Sequence, residues 1–209
     1  MRIALCLLLG LTLASPFALA DTTDYTIDPH HTQVLFSWHH FGFSTPTANF
    51  NQVTGTIHAD NTDPQQSSVA VSIPVKSLDT HVPLLDEHLL TKPEFFHPHK
   101  YPTITFKSSA IRNVDRKHNT FDLVGTLTVN GISKQEVLKA SLNKRGHHPM
   151  WNNAPAVGFS AHATLKRSDF GMDAYVPAVS DTLDVNITVE AIESHAYAAK
   201  MKEMQQQAK

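Results

Sequence analysis

Apolar and polar residues alternate with period two along most of this chain, and that pattern commits it to β-structure. Val34, Phe36 and Trp38 alternate with Leu35, Ser37 and His39. The same rhythm runs through Val69–Val75, Ile104–Lys107, Phe121–Val129, Val157–Leu165 and Leu183–Ala191. Further strands are expected at Tyr25–Asp28, Phe50–Ala59 and Lys134–Asn143. Each reads as a strand with one apolar and one wetter face. Asn130-Gly131 falls between two such runs. These residue types tolerate the positive φ angles of a tight hairpin turn, which pairs the strand ending at Val129 with one starting near Ser133. Many short antiparallel strands with little helix point to a sandwich or a closed barrel, and closure hides every edge.

Two segments depart from the alternation. Pro83–Leu90 places Leu85, His88 and Leu89 on one helical face, with Asp79 or Thr80 as the expected cap and Pro93 past its end. The tail His195–Lys209 is rich in Ala, Lys, Met and Gln and reads as a helical or frayed extension. The start reads as an export leader. Arg2 precedes an apolar run, Ile3–Leu13, that is too short to span a bilayer, and Ala18-Leu19-Ala20 has the form of a cleavage site. The expected division is therefore a leader at 1–20, one β-barrel domain at 21–193 and a tail at 194–209, with the product in the periplasm.

Composition removes several functions. The single cysteine, Cys6, lies in the leader, so the rest of the chain carries no disulfide and no thiolate chemistry. A formal net charge of -2, with no basic run beyond Lys144-Arg145, argues against nucleic acid binding. No G-x-S-x-G, H-E-x-x-H or phosphate-loop motif appears, and no catalytic residue is expected. Fourteen histidines invite a metal reading. His97 and His99 share a face if their segment is extended, but no carboxylate or cysteine set in the sequence completes a site. No metal ligand is assigned from the sequence. A histidine-dependent metal-binding or redox-partner protein stands as the alternative function.

Several segments, taken in order, are similar to the YceI-like family of polyisoprenoid-binding, lipocalin-like proteins. They are Ile27-Asp28-Pro29-His30-His31-Thr32, Phe36–Ser44, Gly55–Asp60, Ser77-Leu78-Asp79-Thr80, Asp86–Leu89, Tyr101–Ser108, Gly125–Lys134, Arg167–Met172 and Val179-Ser180-Asp181. The chain departs from the family pattern at Ala48, Leu85 and Ser180. The resemblance implies an all-β, extended antiparallel barrel of about eight strands around an apolar tunnel. Its expected cargo is a long isoprenoid lipid, such as ubiquinone or a polyprenyl phosphate, with no cofactor required. Val34, Phe36, Trp38, Val71, Ile73, Phe106, Leu123, Phe159 and Leu165 read as plain core from the strands alone and as tunnel lining once the resemblance is admitted. Asp86, His88, Arg167, Ser168 and Asp169 are candidates for a polar head group at the mouth. The competing reading is that Asp86 and His88 pin the short helix and that Arg167 and Asp169 satisfy their own turn. A homodimer, and transient contact with a membrane or a membrane redox protein, are further expectations.

Overall fold

The computed structural model describes residues 21–208; the leader reading lies outside the described residues. Eleven strands form one antiparallel sheet. They are β1 (Thr22–Ile27), β2 (Gln33–Ser37), β3 (Thr47–Phe50), β4 (Thr54–Asp60), β5 (Ser68–Pro74), β6 (Leu78–Asp79), β7 (Thr103–Asp115), β8 (Thr120–Val129), β9 (Ile132–His148), β10 (Ala154–Lys166) and β11 (Thr182–Glu193). Eight of these close a barrel in the order β1-β4-β5-β7-β8-β9-β10-β11, and β11 returns to β1 through Tyr25↔Glu193 and Ile27↔Ala191. The other half of the same β11 edge pairs with β2, from Asp184↔Ser37 to Thr188↔Gln33, and β3 and β6 extend from there. One edge of β11 therefore serves two strands, and the corner between Asp28 and Thr32 passes the chain from one to the other. Among the described residues, no helix is long and apolar enough to cross a membrane.

The period-two reading holds until a bulge reverses it. In β7, Ser109 has no opposite residue on β8, because the register passes from Ser108↔Gly125 to Ala110↔Val124. Phe106 and Ile111, an odd number of positions apart, consequently both face the interior. In β9, Asn143 is the extra residue between Lys144↔Gly158 and Leu142↔Phe159. The alternation legible in the sequence stops at Lys107 and at Asn143 for this reason, although the strands run on to Asp115 and His148.

The expected hairpin joins β8 to β9 through Val129↔Ile132, with Asn130 at φ 50° and Gly131 at φ 75°. A β-carbon at Gly131 would also collide with the Tyr101 ring. The buried Asn130 amide donates to Phe95 O (2.9 Å) and accepts from His97 N (3.3 Å), which ties the segment after the first helix to the barrel end.

That helix, α1 (Pro83–Thr91), starts one residue after Val82, which caps it without a side-chain bond. The expected caps serve the preceding turn instead: Asp79 Oδ1 accepts from His81 N (2.7 Å), and Thr80 is itself held by Asp86. Leu85, Leu89 and Leu90 pack on the main apolar cluster. The tail is a helix, α2 (Ser194–Gln207), whose first amides at His195 and Ala196 donate to the Glu193 carboxylate (3.0 and 2.9 Å). Tyr197 of α2 stacks on Trp151, with ring centroids 5.2 Å apart.

Candidate functional site

The barrel is hollow. A cavity of about 600 Å³ runs along its interior, a volume typical of small-molecule sites. Its wall is built from the inward face of every barrel strand, including Ile57 of β4, Val69 of β5, Leu127 of β8, Leu138 of β9 and Val185, Ile187 and Val189 of β11. The hollow exists because part of this wall is small. Ala161 of β10 pairs directly with Ala140 of β9, Ala163 follows, and all three line the space. Gly125 on β8 continues the effect, since a β-carbon there would collide with the Phe106 ring lying across it.

Of the expected lining residues, Val34, Phe36, Val71, Ile73, Phe106, Leu123, Phe159 and Leu165 face this cavity. Trp38 does not. It follows the end of β2 and packs, 9 % exposed, into the apolar cluster with its ring 5.9 Å from that of Phe36. The same cluster seals one end of the barrel, where Phe50 meets Phe96 edge-on at 6.0 Å beside Phe170 and Met172.

The opposite end is polar and open. It is framed by the β4–β5 and β7–β8 connections and the end of β9, and its lining includes Asp60, Asn61, Asp115, Arg116, Asn119 and Arg145. Arg116, Asn119 and Arg145 are exposed, so the cavity communicates with solvent there. Arg145 Nη1 donates to Asn61 Oδ1 at 2.7 Å. Asp60 Oδ1 accepts from the Thr62 hydroxyl and from the Thr62 and Asp63 amides, and these donors hold its pKa below the usual carboxylate value. One acid, Glu136 of β9, enters the wall itself, and burial followed by the nearby Asp169 charge raises its pKa.

None of the five head-group candidates lines the cavity, and each has a structural occupation. Asp86 Oδ1 accepts from Thr80 N and Thr80 Oγ1, both at 2.7 Å, and so fixes the entry to α1. His88 packs edge-on against Phe95 at 5.4 Å. Arg167 is 5 % exposed and donates to the carbonyls of Met172, Ala174, Val179 and Ser180. Ser168 binds Asp181 through its amide and its hydroxyl (2.9 and 2.8 Å), and Asp169 is half-exposed with Lys134 Nζ 3.9 Å away. His97 and His99 share no strand face either. Lys100 N and Tyr101 N both fold back onto His97 O, so the segment is a turn. Among the polar residues that do reach the cavity, Arg116, Arg145 and Glu136 are not candidates that the sequence reading offers. For Arg145 the obstacle is the Asn143 bulge, which turns it inward.

A YceI-like domain is matched over residues 25–191. The chain belongs to the YceI-like family. Curated relatives include a UPF0312 protein of Pseudomonas syringae pv. tomato, 35% identical over 176 residues that cover 83% of this chain and 88% of the relative. Protein YceI of Escherichia coli O157:H7 is 34% identical, covering 89% and 97% respectively. Among solved structures, the Campylobacter jejuni YCEI protein superposes with a TM-score of 0.66 at 30% identity, over 75% of this chain and 90% of that one. A polyisoprenoid-binding domain from Saccharophagus degradans shares the YceI-like fold at TM-score 0.59 and 12% identity, over 81% of this chain and 98% of that one.

Proposed function

We propose that this YceI-like protein is a non-catalytic binding protein of the periplasm that sequesters or carries a long isoprenoid lipid in its barrel. One observation carries the reading: an apolar cavity of about 600 Å³ that is sealed at one end and opens at a polar rim. The polyisoprenoid-binding description of the Saccharophagus degradans domain supports the ligand class. The leader-like segment at residues 1–20 supports export. Energetically, each buried CH₂ contributes about 0.8 kcal/mol, so one five-carbon isoprene unit contributes ~4 kcal/mol gross. Five or six such units reach the practical affinity ceiling of roughly 18–21 kcal/mol, and chain ordering offsets part of it. A tail of that kind binds through area alone, which leaves discrimination to the rim.

The test is native mass spectrometry of gently purified protein with organic extraction of the bound fraction, followed by uptake of ubiquinone and a polyprenyl phosphate by stripped protein. Co-purified or reloaded isoprenoid is expected, and Ala161→Trp, which fills the middle of the hollow, is expected to abolish uptake while the circular dichroism spectrum is kept. Failure to find any bound lipid, together with no uptake of either compound, overturns the reading.

A further inference from the structure

On the outside of the barrel, at the corner where the chain leaves β1 for β2, three potential ligand groups converge. Asp28, His31 and Glu190 each present a donor atom, all within 4.8 Å of one another. Asp28 is almost fully buried, and its Oδ1 is held by His30 N (3.0 Å) while Oδ2 accepts from His31 Nδ1 (2.7 Å). Glu190 sits on β11 between Val189, which faces the cavity, and Ala191, so its side chain points to the other side of the wall.

The second observation concerns Glu190 itself. Its Oε1 atom is buried and lacks a hydrogen-bond partner, which is costly for a carboxylate oxygen. His31 Nδ1 is 4.0 Å from it. His148 Nε2 is 3.1 Å from it but out of hydrogen-bonding alignment. Met150 N donates to His148 Nδ1 (3.2 Å), so the His148 proton is on Nε2 and that ring faces Glu190 without a free lone pair. Two carboxylates thus meet one imidazole around a point where one carboxylate oxygen makes no hydrogen bond, the His148 N–H beside it being out of line.

We propose that Asp28, His31 and Glu190 bind one Zn²⁺-class divalent cation, with His148 as a positioning residue beside Glu190. Tetrahedral zinc with bonds of about 2.0–2.1 Å separates its ligand atoms by about 3.3 Å. The observed separations of 2.7 Å and 4.0 Å lie on either side of that value and the third pair lies within 4.8 Å, so side-chain adjustments, with release to solvent of the proton His31 Nδ1 now donates to Asp28, complete the set. An imidazole with two carboxylates suits borderline cations such as zinc better than calcium, which takes more oxygens. His31 is 63% exposed and leaves an entry path and a position for water. The site lies across the wall from the cavity and does not depend on the lipid reading.

The experiment is calorimetric titration of the mature chain with Zn²⁺ alone and then with Ca²⁺, alongside X-ray absorption of the zinc-loaded protein. One equivalent of Zn²⁺, no comparable Ca²⁺ binding and an imidazole-plus-oxygen ligand sphere are expected. His31→Ala and Glu190→Gln are each expected to weaken Zn²⁺ by at least about tenfold. His118→Ala removes a similar pair, His118 Nδ1 to Asp115 Oδ2 at 2.7 Å, and is expected to change nothing. Because His31 is largely exposed, its variant keeps the fold, which a melting curve verifies. The proposal is overturned by absence of Zn²⁺ binding, by binding unchanged in both variants, by equal loss in His118→Ala, or by Ca²⁺ binding as tightly.

Discussion

Arg167 shows how a buried charge can serve shape instead of recognition. Its guanidinium faces the carbonyls of a single returning loop, residues 172–180, and gathers them from four directions. Charged hydrogen bonds of this kind contribute about 1.5–3 kcal/mol each and are not additive. Arg167→Met is therefore expected to lower stability by about 3 kcal/mol or more in urea unfolding, with Arg167→Lys recovering only part, because an ammonium cannot reproduce the fork. Glu136 gives a pH signature of opposite origin. Its folded-state pKa is raised by burial, so the folded chain holds that proton more tightly than the unfolded one. Its contribution is fully present below the ordinary glutamate value of 4.5 and is lost as pH rises through the raised folded value. Glu136→Gln is expected to flatten that decline in melting temperature between mildly acidic and neutral pH. The sequence already offers a self-satisfied turn as one reading of Arg167, and the fold supplies the partners, which are the loop carbonyls and not Asp169. The raised pKa of Glu136 has no signature in the sequence. Likewise, Asp28-x-x-His31 is a visible spacing, but Glu190 joins it across 159 positions of sequence separation.

At the level of elements, strand identity came through and strand extent did not. The expected strands are present, except that the Phe50–Ala59 strand is divided at residues 51–53 into the end of β3 and β4, and the Asn130-Gly131 turn fell where its backbone chemistry required. The shortened extents of β7 and β9 have one cause: a bulged residue, Ser109 or Asn143, shifts the facing of everything after it, and periodicity carries no advance notice of the shift. The hollow itself was hidden for a related reason. Ala140, Ala161 and Ala163 read as ordinary apolar positions, and only their adjacency on β9 and β10 turns three small side chains into space. The tail was readable as a helix from composition, yet its anchoring was not. Glu193 accepts from the amides of His195 and Ala196, and Tyr197 rests on Trp151. Glu193→Ala is expected to cost about 1 kcal/mol of helix stability, as loss of a capping acceptor does. Hydrogen exchange should quicken through residues 195–199 while the barrel strands stay protected.

Taken as one molecule, the barrel is asymmetric from end to end. Aromatic rings and Met172 stop it at the α1 side, and Arg116 of the β7–β8 connection and Arg145 near the end of β9 rim the other. A blind sleeve of this sort accepts a thread from a single direction. Its depth then acts as a gauge: a hydrocarbon shorter than the bore would disappear entirely, and a longer one would leave its last segment standing out beyond the two arginines.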